Sequence, residues 1–179
     1  MTTALLVIDL QRALCEGRWA MAGIDGVLTR VNTLTARARA AGAPVAFIQH
    51  QSSEGPLMPG SDGWPLSPAL TVHPGDWRVD KRHGDAFLRT DLHARLQAAG
   101  VTEVLLCGAQ SDFCVSATAQ GALSHGYGVT LVADAHTTLA NGVLNAEQIV
   151  AHVNATVPQM DSYGPRTQAL PCDTVSFAA

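Results

Sequence analysis

The stretch Glu103-Val104-Leu105-Leu106-Cys107-Gly108-Ala109-Gln110-Ser111-Asp112-Phe113-Cys114-Val115 carries the plan of the chain. Its first part is a short apolar run stopped by glycine, the pattern of a buried strand over Glu103–Cys107. A polar turn follows. A helix is then expected over 112–125, with Val115, Thr118, Ala119 and Ala122 on one side. Strand, loop and helix in that order form half of a parallel crossover unit.

Outward from this unit the same alternation recurs. Ala4–Ile8 and Pro44–Ile48 read as buried strands, and Trp77–Asp80 as a short one. Between the first two, a helix is expected over Gly26–Ala41, with Val27, Val31 and Leu34 at helical spacing. Asp25 would cap it and Gly42 would stop it. Residues 51–76 hold several Pro and Gly without a period and read as a long loop, usually a functional feature. Thr90 is placed as the cap of a helix through Leu92, Leu96 and Ala99, stopped by Gly100. Val129–Ala133 is a further strand, Asn145–Val157 the last helix, and a short strand is expected near Gln159–Ser162. No repeat or linker interrupts this order, so residues 1–179 are expected to form one domain. The expected class is α/β, a parallel sheet covered by helices on both faces. In such sheets ligands bind beyond the carboxyl ends of the strands. Attention therefore falls on Asp9, Gln49, His50, Lys81, the loop Gly108–Cys114 and Asp134.

Composition narrows the function. The chain has 179 residues, 47% of them hydrophobic and 15% charged, with a net charge of −4. That supports a packed core and supplies no basic excess for a phosphate backbone or an anionic membrane surface. Neither nucleic acid nor membrane is an expected partner. Met1-Thr2-Thr3-Ala4 leads directly into a strand that Asp9 ends, which is not the pattern of a signal peptide. The expected location is cytoplasmic, where Cys15, Cys107, Cys114 and Cys172 should be free thiols. None of them has C-x-x-C spacing, and no metal site is expected.

Three residues invite chemistry. Cys114 falls in the first turn of a helix, where the dipole and unpaired N–H groups favour a thiolate and could hold an oxyanion. A small residue packing helix against sheet is an equal reading of the position. Asp9 closes a buried strand, where a carboxylate is costly unless paired or used for proton transfer. Lys81, in Arg78-Val79-Asp80-Lys81-Arg82, reads alone as part of a solvated charge run, or else as the cation beside a thiol.

Three segments in order resemble the isochorismatase-like cysteine hydrolases, a family that includes nicotinamidases and N-carbamoylsarcosine amidases. They are Val7-Ile8-Asp9-Leu10-Gln11, then Val79-Asp80-Lys81-Arg82 with Ala86-Phe87 and Thr90-Asp91-Leu92 behind it, and Cys107 to Val115 followed by Thr118-Ala119, Gly126-Tyr127 and Asp134-Ala135. The resemblance implies a three-layer α/β/α fold with a six-stranded, mainly parallel sheet in the order 3-2-1-4-5-6. It implies Cys114 as nucleophile, Asp9 as proton acceptor and later activator of water, and Lys81 as the group that holds the thiolate. It also implies a cis peptide at Ala109–Gln110 and an oxyanion hole from the N–H groups of Gln110 and Cys114. No cofactor is implied. The family commonly forms dimers or tetramers, and a homo-oligomer is expected here.

The departures matter as well. Metal-dependent nicotinamidases carry Asp-x-His and a further His after strand two, whereas this chain reads Gln49-His50-Gln51-Ser52-Ser53. Isochorismatases proper lack the nucleophilic cysteine. Ser111 stands where many relatives have Thr, and it can still cap. The expected activity is hydrolysis of a C–N bond (amide, lactam or ureido) in a small molecule through a thioester. The competing reading is a non-catalytic small-molecule binder or thiol redox sensor on the same fold. Gln11, Trp19, Gln49, His50, Trp64 and Phe113 are the candidate pocket residues, with packing of the long loop as the alternative role of the aromatics.

Overall fold

A computed structural model describes residues 2–177. Its elements are β1 (Thr2–Ile8), α1 (Arg12–Cys15), α2 (Ile24–Ala40), β2 (Val45–His50), β3 (Trp77–Lys81), α3 (Leu92–Ala98), β4 (Val101–Ala109), α4 (Ser116–Ser124), β5 (Gly128–Thr137), α5 (Ala146–Thr156) and β6 (Thr167–Leu170). The six strands form one sheet in the order β3-β2-β1-β4-β5-β6, and every pairing within it is parallel.

The β1 run Ala4-Leu5-Leu6-Val7-Ile8 explains the layering. Side chains alternate across a strand, so Leu6 and Ile8 join one core and Leu5 and Val7 the other. The first core packs against α3, α4 and α5 through Leu92, Leu96, Ala119, Ile149 and Val153. The second packs against α2 through Val27, Val31, Leu34 and Ala38. Each such aliphatic side chain, fully buried, stabilises by about 1.5–3 kcal/mol. β1 is buried on both faces because it is central, and that is why it reads as a continuous apolar run.

Several boundaries differ from the sequence reading, and β4 and β5 run on to Ala109 and Thr137, so Asp134 lies inside β5 and not after it. The expected strand near Gln159–Ser162 is two 3-10 turns, Val157–Gln159 and Asp161–Tyr163, and the edge strand β6 comes later. Pro158 lies in the first turn, and proline lacks the N–H that a ladder needs. Helix α2 starts at Ile24, with Gly23 in the left-handed region as its cap. Asp25 falls in the first turn, where its charge still complements the dipole. At α3 the capping residue is Asp91, although the Thr90 hydroxyl accepts from the Leu92 N–H at 3.3 Å. The helix expected over 112–125 opens as a π-turn, Ser111–Val115, before α4. The last helix carries a reciprocal cap, in which Asn145 and Gln148 each bond the other's backbone N–H.

Candidate active site

The order β3-β2-β1-β4 sets four adjacent strand ends in a row. β1 delivers Asp9, β2 ends in His50, β3 ends in Lys81 directly opposite His50, and the turn after β4 delivers Cys114. Asp9 has a positive φ of 48°, an uncommon conformation outside glycine that turns the chain sharply off the strand.

Lys81 organises the site. Its side chain is fully buried, and its ammonium donates to Asp9 Oδ2 at 2.7 Å, Cys114 Sγ at 3.1 Å and the His83 carbonyl at 3.1 Å. His50 Nδ1 lies 3.3 Å from the same nitrogen. An ammonium has three N–H bonds, so His50 competes for a shell that is already full. Burial lowers the His50 pKa, the Lys81 charge lowers it further, and Asp9 opposes both. A neutral imidazole accepting at Nδ1 and protonated at Nε2 fits those neighbours. Asp9 Oδ1 is buried and has no hydrogen-bond partner among the described residues, which leaves it a free acceptor.

The thiol departs from the sequence reading. A helix end was expected to lower its pKa, yet the Cys114 thiol is pushed up to about 12. Burial is the main cause and the Asp9 carboxylate adds to it. Lys81 acts in the opposite direction without overcoming them. The π-turn weakens the helix-end argument as well, because the Phe113 and Val115 N–H groups are both spent on the Gln110 carbonyl, each at 3.1 Å. The sulfur therefore rests as a thiol between Lys81 and Asp9.

The backbone around the sulfur is tightly set. Gly108 has φ 112°, and a Cβ there would lie 2.1 Å from the Ile8 carbonyl oxygen. Only glycine lets β4 pass this close to β1. The Ala109–Gln110 peptide bond is cis. Thr118 of α4 accepts from the Ala86 N–H at 3.1 Å, which ties the lysine segment to the cysteine helix.

The candidate pocket residues divide. Gln11 is fully buried and spends its amide on the His50 backbone and the Trp64 carbonyl. Gln49 bonds the Trp64 carbonyl and receives Arg78. Both glutamines thus anchor the loop 51–76. The Trp64 indole N–H is buried without a partner. Phe113 is 60% exposed and borders a groove with Gly84, Gly121 and Tyr163. Trp19 is 47% exposed, with Arg18 stacked on it. Of these six residues, His50 alone touches the Lys81 ammonium.

Sequence reasoning missed a second buried polar chain behind the turn. Ser111 Oγ lies 2.8 Å from His136 Nδ1, His136 Nε2 lies 3.0 Å from Asn154 Oδ1, and Asn154 Nδ2 donates to the Ala133 carbonyl at 2.8 Å. A register shift in the β4–β5 pairing sets His136 opposite Gly108. Burial lowers the His136 pKa, which suits a neutral ring whose Nδ1 accepts a hydrogen bond from the Ser111 hydroxyl and whose Nε2 donates to Asn154 Oδ1. The available signal was a polar triplet, Ser111, His136 and Asn154, on elements that otherwise bury apolar faces.

Asp9, His50 and Cys114 place a carboxylate oxygen, a ring nitrogen and a sulfur within 4.8 Å of one another. The cation they surround is the Lys81 ammonium. A divalent ion added there would face that charge at close range, so the donor set fits no metal while Lys81 is in place.

Comparison with known proteins agrees with this architecture. Residues 3–161 match the family model for the isochorismatase domain. A streptothricin hydrolase of Streptomyces noursei is 43% identical over 136 residues, which cover 75% of this chain and 49% of that protein. The chain thus spans about half the length of that relative. A ureidoacrylate amidohydrolase of Methylobacterium radiotolerans is 29% identical over 171 residues, covering 75% of this chain and 66% of the relative. The crystal structure of an isochorismatase family protein superimposes with a TM-score of 0.82 at 33% identity, covering 94% of this chain and 97% of that one.

Proposed function

This chain belongs to the isochorismatase family of hydrolases, and we propose that it cleaves a C–N bond in a small amide, lactam or ureido compound through a thioester on Cys114. One observation carries the reading. A single buried ammonium is hydrogen-bonded to a carboxylate at 2.7 Å and to a thiol sulfur at 3.1 Å, with a second carboxylate oxygen left free.

The protonated thiol shapes the mechanism. As Sγ attacks the substrate carbonyl, its proton passes to Asp9, so no free thiolate has to persist in the buried site. Lys81 stabilises the sulfur's developing charge and holds the carboxylate in place. The oxyanion is assigned to the N–H groups of Gln110 and Cys114. Asp9 then returns its proton to the leaving nitrogen, and the C–N bond breaks. Water activated by the same carboxylate hydrolyses the thioester and regenerates the thiol. No cofactor takes part in these steps. A redox sensor would work best with a thiolate, and the raised thiol pKa disfavours that alternative.

Two lesser assignments accompany this one. Four free cysteines suit a reducing compartment, which supports a cytoplasmic location. No described helix is long and apolar enough to cross a membrane. Val143, 87% exposed, and Phe113 support self-association of a one-domain protomer, and light scattering on the purified protein checks it. The activity itself is tested by ammonia or amine release from a panel of amides, lactams and ureides. Turnover is expected from the native protein and none from Cys114→Ser. An undiminished rate in that variant removes the nucleophile and the mechanism with it.

A further inference from the structure

A cavity of about 430 Å³ is bordered by His50, Gln51, Ser52, Ser53, Pro59 and Arg82. It adjoins the chemistry through His50, whose ring nitrogen lies within 4.8 Å of Cys114 Sγ. The cavity is set by the backbone on both sides, since the Gln51 N–H donates to the Lys81 carbonyl at 2.7 Å and the Ser52 N–H to the Leu57 carbonyl at 3.1 Å. Its lining mixes polar and apolar surface, with one permanent cation and no carboxylate.

That cation is uncommitted. Most arginines of the chain are engaged: Arg39 is locked to Asp76 at 2.7 Å, Arg30 to Asp134 at 3.0 Å, and Arg78 to the Gln49 amide at 3.1 Å. Arg82 has no hydrogen-bond, ion-pair or ring partner among the described residues. None of Glu54, Asp80 and Asp85 borders the cavity. A guanidinium presents a planar fork that matches a carboxylate.

We propose that Arg82 makes this cavity an anion-selecting subsite, so that the substrate carries a carboxylate or similar planar anion close to the bond that is cleaved. The inference rests on the reading of Cys114 as a reachable nucleophile. It goes further by naming a feature of the substrate that the family assignment leaves open. Positively charged compounds are disfavoured in the same cavity, because they would meet the Arg82 guanidinium.

Iodoacetate and iodoacetamide test this directly. They are nearly equal in size and differ by a carboxylate against a carboxamide. In both reactions Cys114 Sγ forms the S–C bond, iodide departs with the bonding pair, and the thiol proton is lost to solvent. Rates are measured at low ionic strength, with peptide mapping to separate Cys114 from the other thiols. The iodoacetate-to-iodoacetamide rate ratio at Cys114 is expected to fall about fivefold or more in Arg82→Gln and to recover in part in Arg82→Lys. Added salt should shrink the difference. A ratio unchanged by Arg82→Gln, with Cys114 still labelled, overturns the anion subsite and leaves the nucleophile standing. Failure of both reagents to label native Cys114 overturns the nucleophile, and the subsite falls with it.

Discussion

Cys107 sits in the body of β4 and Cys114 in the turn that follows, and both thiols have pKa values raised mainly by burial. Cys107 is fully buried in the second core, where its thiol donates to the Leu6 carbonyl at 3.6 Å. Cys114 has the Lys81 ammonium at 3.1 Å and the Asp9 carboxylate close by. Burial alone therefore does not separate a structural thiol from the proposed nucleophile. The neighbours separate them, since only Cys114 has a base to take its proton and a cation to hold its charge.

The largest test of this contrast is turnover. Cys114→Ser is expected to lower kcat at least about 10⁴-fold with the fold intact by circular dichroism, whereas Cys107→Ala should leave kcat within about twofold. Similar losses in the two variants would erase the distinction.

Asp9→Asn sharpens the contrast by separating two properties of one sulfur. Turnover should fall about a thousandfold, because the proton has no acceptor. Alkylation of Cys114 should become faster, because removing the carboxylate's charge takes away one of the causes that raise the thiol pKa. Lys81→Met should slow both reactions, and equal directions of change in these two variants would contradict the roles given to the pair.

Titration supplies the pH dependence. A thiol with a pKa near 12 stays protonated through neutral pH. The iodoacetamide rate at Cys114 should therefore climb about tenfold per pH unit, with no plateau up to about pH 10. A free cysteine levels off at lower pH. In Asp9→Asn the rise should begin earlier. A plateau near pH 7 in the native protein would mean a standing thiolate.

Gly108, between the two cysteines, gives a smaller effect that reads on the backbone alone. Gly108→Ala drives a methyl group into the Ile8 backbone at a positive φ, and should cost about 2–4 kcal/mol in urea unfolding. Smallest is the stability change in Cys107→Ala, about 1 kcal/mol or slightly more for the lost packing.

Much of this was legible in the sequence, for identifiable reasons. Central strands such as Ala4–Ile8 are buried on both faces and so announce themselves. β6 does not, since all four of its residues are only partly buried and Thr167-Gln168-Ala169-Leu170 has no apolar alternation. Asp9 could be singled out because a carboxylate at the end of a buried strand is costly. Lys81 could not be told from a charge run by its neighbours alone, and the resemblance supplied its role. The raised thiol pKa was not legible, because it depends on how deeply the π-turn buries Sγ. The Ser111–His136–Asn154 chain was hidden for a similar reason, since the β4–β5 register shift that aligns it leaves no mark in residue spacing.

In the proposed mechanism Cys114 carries the substrate's acyl group during C–N cleavage. Acid-quenching the enzyme while it turns over the fastest-cleaved member of the amide, lactam and ureide panel, then mapping peptides by mass, tests this most directly. The account predicts an added acyl mass on the peptide containing Cys114, lost on hydroxylamine treatment and absent from Cys114→Ser. Steady turnover with that peptide unmodified, and an equal rate in the serine variant, would contradict it.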